Sequence, residues 1–322
     1  MRFRRFSLCI FRGACLLAGS LFFCPPVTAD EPSAAVRFVS WNLRNYLLTA
    51  VTPEPRAAHD TKPKPAEDVA AVTRILKELK PDVLGVSEIG GPEDLAALQA
   101  RLKEAGFDLP HREHVIAADR VRHLGLLSRF PITARQSQTS LSYLHDETRL
   151  PVQRGFLDVT LQITPSYQLR CVGVHLKSRL ATPEADENLM RRNEAHLLRL
   201  HTDTILTADP ETNLLVYGDF NDTRDQPSIR AIPGPRGAQN YLTAITPADT
   251  RGDRWTYFYP AAETYSRIDY FFASRSLMPE VEEEQCTIYS GPDWFTASDH
   301  RALCFVLTPR EKQPRVRKTE GR

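Results

Sequence analysis

The stretch Asn213-Leu214-Leu215-Val216-Tyr217-Gly218-Asp219-Phe220-Asn221 passes from an apolar run, through a glycine, to two polar side chains two residues apart. A short apolar run closed by Gly reads as a buried strand. If the chain stays extended beyond it, Asp219 and Asn221 point one way and Phe220 points into packing, so a carboxylate and an amide share one face at a strand end. Alone, such an Asp is more often a turn former whose side chain caps its own backbone.

The same pattern recurs along the chain. The β-type run Val36-Arg37-Phe38-Val39-Ser40-Trp41 leads to Asn42, and residues 82–87 lead to Glu88. Residues 169–176 carry His175-Leu176-Lys177-Ser178, residues 268–273 begin within Ser266-Arg267-Ile268-Asp269-Tyr270, and Ser298-Asp299-His300 precedes the run at 302–307. Further strands are expected at 124–127, 156–163 and 286–289. Apolar spacing near 3.6 predicts helices over 67–80, 93–105 and 188–207, the first closed by Pro81. Residues 52–65 and 227–237, rich in Pro or Gly, read as loops, and Trp255, Tyr257, Phe258 and Tyr259 read as structural aromatics with cross-strand partners.

The N-terminus, Met1-Arg2-Phe3-Arg4-Arg5 followed by an apolar run and Val27-Thr28-Ala29, has the form of a secretory signal peptide over residues 1–29. Its apolar run of about ten residues falls short of the roughly twenty that span a bilayer, so no transmembrane anchor is expected. Export makes the protein secreted or periplasmic. Removing Arg2, Arg4, Arg5 and Arg12 takes 41 basic groups to 37 against 40 acidic ones, a net charge near −3. A chain with that balance has no general field for polyanions, which argues against a passive DNA-binding module. Three cysteines remain, Cys171, Cys286 and Cys304, enough for one disulfide, and Cys286 with Cys304 is the expected pair. No internal repeat, P-loop or CxxC is present, and one domain over residues 34–309 with a basic, disordered tail at 310–322 is expected.

Each polar signature is weak alone. Together and in this order, with Leu127-Ser128-Arg129-Phe130-Pro131 as a further strand-turn, they resemble the endonuclease/exonuclease/phosphatase superfamily, specifically its secreted bacterial nucleases. The resemblance implies a DNase I-like four-layered α/β sandwich, two packed β-sheets flanked by helices, with a metal-containing site where strand ends converge. It implies Glu88, Asn42 and Asp299 as the metal shell and His175, Asp219, Asn221, Asp269 and His300 as catalytic groups. In that scheme Asp269 orients His300, and Arg154 and Lys177 contact substrate phosphate.

The chemistry suits these residue types. A phosphodiester is an anion that resists nucleophiles, so a site must neutralise its oxygens, deprotonate water and support the leaving oxygen. Carboxylates and amides are hard oxygen donors suited to Mg²⁺, with Mn²⁺ or Ca²⁺ as alternatives. Arg44 stands where abasic-site endonucleases have an acid, and they lack a histidine matching His175, so the resemblance points away from that branch. The expected activity is a metal-dependent phosphodiester hydrolase acting on DNA or RNA; a sphingomyelin or phospholipid phosphodiesterase and an inositol-polyphosphate-type phosphatase are the alternatives. No stable protein partner is implied, and a monomer is expected. Trp294-Phe295 stands too close before Asp299 for a protruding membrane hairpin, so Trp294 either packs or walls the pocket.

Overall fold

Two six-stranded sheets carry the chain. The first has the spatial order Thr287–Ile288, Leu303–Leu307, Val36–Tyr46, Val83–Ile89, His123–Ser128, His111–Val115. The second runs Leu242–Ile245, Asp269–Ser274, Leu214–Asp219, Tyr167–His175, Phe156–Thr164, Ile132–Arg135. A computed structural model describes residues 34–50 and 62–310; the expected signal peptide and the tail beyond 310 lie outside them. Among the described residues no helix is long and apolar enough to cross a membrane.

Alternation sorts the side chains into three buried layers. Phe38, Leu126, Leu157, Leu215, Phe271 and Phe305 fill the space between the sheets. The outer face of the first sheet, with Val39, Leu84 and Leu127, packs on the helices Ala66–Leu79 and Pro92–Glu104 through Val72, Ile75, Leu95 and Leu98. The outer face of the second, with Val172, Val216 and Phe272, packs on Glu187–Ala208 through Leu198 and Ile205. This is the four-layered sandwich. Truncating any of these Leu side chains to Ala should cost about 2–5 kcal/mol.

Tyr217 sets how closely the sheets approach. It projects from Leu214–Asp219 into the space between them, and a Cβ on Gly85 of the opposite sheet would lie 2.1 Å from its ring. A Cβ on Gly173, its neighbour in register, would lie 2.6 Å from its hydroxyl. Only glycine fits at both places.

Several local expectations are corrected. The loop 227–237 contains a short helix, Pro227–Ala231, started by Pro at its first turn, where a missing N–H costs nothing. The aromatics at 257–259 do not belong to the core: Tyr257–Tyr259 pairs with Thr264–Ser266 as a separate hairpin, held to the rest by the bridge Tyr257↔His300. Cys286 and Cys304 are unbonded. Thr287 is the residue opposite Cys304, so Cys286 faces the other side of the sheet, toward the inter-sheet core, while Cys304 faces the helix layer.

Candidate active site

The strand ends bring the polar signatures together because their strands are neighbours. Val36–Tyr46 lies between Leu303–Leu307 and Val83–Ile89, with Ser40 opposite Leu303 and Asn42 beside Ser87. Three motifs therefore meet: the Trp41 indole donates to the His300 carbonyl at 2.9 Å, and Ser298 Oγ donates to the Asn42 carbonyl at 2.8 Å. In the other sheet Asp219 pairs with both His175 and Asp269.

The backbone bends sharply where the site begins. Arg44, Asn45, Glu88 and Asn221, four of the eight described non-glycine residues with positive φ, have left-handed φ between 47° and 58°, a region such residues occupy at a cost. Gly218 has φ 132°, and a Cβ there would lie 2.0 Å from the Val174 carbonyl oxygen, so the glycine ahead of Asp219 is required.

Asp219 is the hub. Its Oδ1 accepts the Asn221 backbone N–H at 2.8 Å, so the turn and the site are one structure. Its Oδ2 accepts Asn42 Nδ2 at 2.9 Å and Asn221 Nδ2 at 3.3 Å, and faces Nε2 of His175 at 3.6 Å and of His300 at 3.7 Å. Asn221 does not continue the strand as expected, yet its amide still reaches the carboxylate. Burial and the charge of Asp269 push the Asp219 carboxyl up to about 7, against the lowering effect of His300 and the amides.

The two imidazoles are driven apart. Nδ1 of His300 lies 2.9 Å from Asp269 Oδ2. Burial alone would lower His300, but Asp269 and Asp219 outweigh it and lift the ring to about 10, so it carries a proton. His175 is held well below the ordinary range by burial, then by Arg154, Arg122 and His300, and stays neutral. Its Nδ1 has no hydrogen-bond partner among the described residues. One charged and one neutral imidazole thus flank a carboxyl poised near neutrality, a pattern suited to proton transfer.

Asp219, Asp269 and His300 have the spacing of a metal cluster, with candidate ligand atoms within 4.8 Å of one another. A protonated imidazole already bound to a carboxylate is a poor ligand, however. Glu88 fits a divalent cation better: its side chain is 16% exposed, Oε1 receives only Asn42 Nδ2 at 3.3 Å, and Oε2 accepts Asn45 N–H at 3.0 Å. Asp299, at 22% exposure, lies 3.9 Å from Arg44 Nε. Burial, then the charges of Asp299, Asp219, Tyr259 and Glu88, raise the Tyr257 phenol to about 12. Asn42 presents its nitrogen to the carboxylates and its oxygen to Arg44 N–H, so it stands here as a hydrogen-bond donor; a cation would take the oxygen.

Arg154 and Lys177, the expected phosphate contacts, lie behind His175. Arg154 is buried against Asp119 at 3.0 Å, and Lys177 Nζ donates to the carbonyls of Ser178 and Leu180 at 3.1 and 2.7 Å. Both sit beside His175 and act on its charge. The cations beside the carboxylates are Arg122, 3.7 Å from Glu88, and Arg44. Lys64 is a further member: its buried amine donates to the Leu43 and Arg44 carbonyls at 3.0 and 3.2 Å, bracing the left-handed turn behind Asn42 and Glu88. No local signal in the sequence marks Arg122 or Lys64; chain topology alone brings them here.

A helix-flanked double sheet with carboxylates and imidazoles at one end is the architecture of DNase I-like phosphoesterases. The chain belongs to the endonuclease/exonuclease/phosphatase family, whose sequence profile matches residues 39–300. Truncated TDP2 of Caenorhabditis elegans is similar in structure, with 16% identity, a TM-score of 0.56, and 85% of this chain and 98% of that one covered. The human Nocturnin catalytic domain with bound sulfate has 14% identity and a TM-score of 0.56, covering 84% of this chain and 93% of that one. Sphingomyelinase C of Streptomyces griseocarneus has 12% identity and a TM-score of 0.54, covering 85% and 100%. At these identities the likeness is one of fold. A search of curated proteins by sequence gives no match.

Proposed function

We propose that this protein is an exported, divalent-metal-dependent phosphodiester hydrolase that cleaves nucleic acid. The observation that carries the hydrolytic reading is Asp219, held between the Asn42 and Asn221 amides and faced by a charged and a neutral imidazole.

In this reading Glu88 and Asp299 hold Mg²⁺, which when bound supplies Lewis-acid neutralisation of phosphate charge. Asp219 accepts the proton of the attacking water, its carboxylate kept in place by the two amides. His300, fixed by Asp269, presents a charged N–H to a phosphate oxygen. His175 offers Nε2–H from the other side, and its long distances to Asp219 and Glu88 leave room for substrate oxygens between. Arg122 and Arg44 extend the positive rim, while Arg154 and Lys177 shape the field behind His175.

Within a family of endonucleases, exonucleases and phosphatases, the nucleic-acid reading rests on the resemblance of the ordered motifs to secreted bacterial nucleases, and export is supported by the form of residues 1–29. The test is hydrolysis of plasmid DNA, RNA, sphingomyelin vesicles, inositol polyphosphate and bis-nitrophenyl phosphate by the purified protein, each with Mg²⁺, Mn²⁺, Ca²⁺ or EDTA. Metal-dependent cleavage of DNA or RNA is expected. Rapid vesicle or inositol-phosphate hydrolysis without nuclease activity would reassign the substrate, and full activity in EDTA would reject the metal.

A further inference from the structure

An aromatic surface grows directly out of the site. The Tyr257 ring lies 4.7 Å from His300, and Tyr259, two residues along the same strand face, lies 6.5 Å from Tyr257 with the rings only 19° from parallel. On the other face Phe258 stacks on Tyr265 at 4.6 Å, and Tyr265 touches Trp255 at 4.7 Å. Trp294 and Phe295 close the group against Trp255 and Phe258. Core aromatics would be covered, but Tyr259, Tyr265 and Phe295 are 48%, 57% and 42% exposed. Holding that much ring surface in water without a partner has a cost of its own, and it marks an interaction site.

Three features choose the occupant. First, the strip begins at His300, so whatever lies on it is joined to the group being hydrolysed. Second, the Arg301 guanidinium lies over the Trp255 ring at 4.1 Å, and the exposed Arg254 precedes Trp255 in the chain. Third, residues 254–267 contain no Leu, Ile, Val or Met; their large apolar groups are all rings. Planar faces one step from a phosphodiester match the bases of a nucleic-acid strand. Paired bases show only their edges, so the strand must be unpaired.

We infer that the face of the 257–266 hairpin that carries Tyr257 and Tyr259 is a base-stacking platform that gives the enzyme a preference for single-stranded nucleic acid. This rests on the nucleic-acid reading above. Stacking is worth about 1–3 kcal/mol per base, on the order of 5- to 150-fold in affinity.

The experiment compares wild type, Tyr259→Ala, Tyr265→Ala and Tyr259→Phe, each checked for folding by circular dichroism. KM is measured for one oligonucleotide as a single strand and in blunt duplex, and binding in EDTA is read from quenching of Trp255 and Trp294 fluorescence. Tyr259→Ala should raise the single-strand KM and Kd at least about fivefold and change the duplex KM less than about twofold, while Tyr265→Ala, on the opposite face, and Tyr259→Phe stay close to wild type. An equal loss on duplex, no loss on single strand, or a Phe variant as impaired as Ala overturns the platform. Fluorescence that responds to phosphatidylcholine vesicles and not to oligonucleotide would assign the surface to a membrane instead. Nucleic acid cleaved without strand preference rejects the platform alone; bis-nitrophenyl phosphate cleaved without nucleic acid rejects the substrate reading with it.

Discussion

Nδ1 of His300 lies 2.9 Å from Asp269, while Nε2 of the same ring stands 3.7 Å from Asp219. The ring therefore has one face fixed and one face aimed. If Asp269 acts only through the imidazole it orients, His300→Ala and Asp269→Ala should each lower kcat by about 10²–10⁴-fold, and the double variant should be little worse than His300→Ala. Fully multiplied losses would show that the two side chains work independently.

Glu88 allows a test of metal binding that does not depend on turnover. Mg²⁺ at 100 times its Kd should stabilise wild type by about 2.7 kcal/mol, read as a rise in Tm that EDTA abolishes. Glu88→Gln keeps the shape and removes the charge, so the rise should disappear along with activity. A Gln variant that still gains Tm on Mg²⁺ would move the ion elsewhere.

Tyr217 carries a buried hydroxyl with no hydrogen-bond partner among the described residues. Its ring is needed and its oxygen is not. Tyr217→Phe should be neutral or stabilising by about 1 kcal/mol, whereas Gly85→Ala should destabilise by about 1–3 kcal/mol or more, because the methyl meets the ring. Urea midpoints would decide; a Phe variant weaker by 2 kcal/mol or more would reveal a role for the hydroxyl.

Alkaline stability should break in two stages. Burial lifts Cys286 to about 11 and Cys304 to about 12, so above the thiol range of about 8.5 the unfolded chain loses protons first and stability falls. Burial lowers Lys64 and Lys177 to about 8; over the same window the unfolded chain keeps protons the folded one has released, and stability rises. Because Cys171 is raised as well and His300, lifted to about 10, keeps its proton in the fold where the unfolded ring has lost it, the lysines offset only part of the loss up to about pH 10. Beyond it nothing offsets the buried phenols, with Tyr46 raised by burial to about 12 and Tyr143, Tyr217 and Tyr270 also above their ordinary range. Tm should fall gradually from pH 8 to 10 and drop more steeply above it; a Tm unchanged at pH 11.5 would contradict this.

What could be read in the sequence was what a single strand or helix shows about itself. The apolar runs before Glu88, His175 and Asp219 end where strands end, Asp269 opens the strand that follows it, and the three long helices follow their 3.6-residue spacing. Edge strands such as His111–Val115, polar and half-exposed, carry no such signal. Nor could sequence foresee that Lys177 turns its amine to Leu180, or that Arg122 and Lys64 meet Glu88 and Arg44, since those contacts depend on loops closing in space. Tyr259 was misread because alternating aromatics look alike in a core strand and in a free hairpin.

The three thiols of the described chain are shut away, Cys171 and Cys286 between the sheets and Cys304 beneath the helices. Reductants then have nothing to cut, and alkylating reagents have nothing to reach until packing opens. The cysteines make a built-in clock: the order in which they label under mild denaturant reports whether the helix layer lifts from the first sheet before the sheets part from each other.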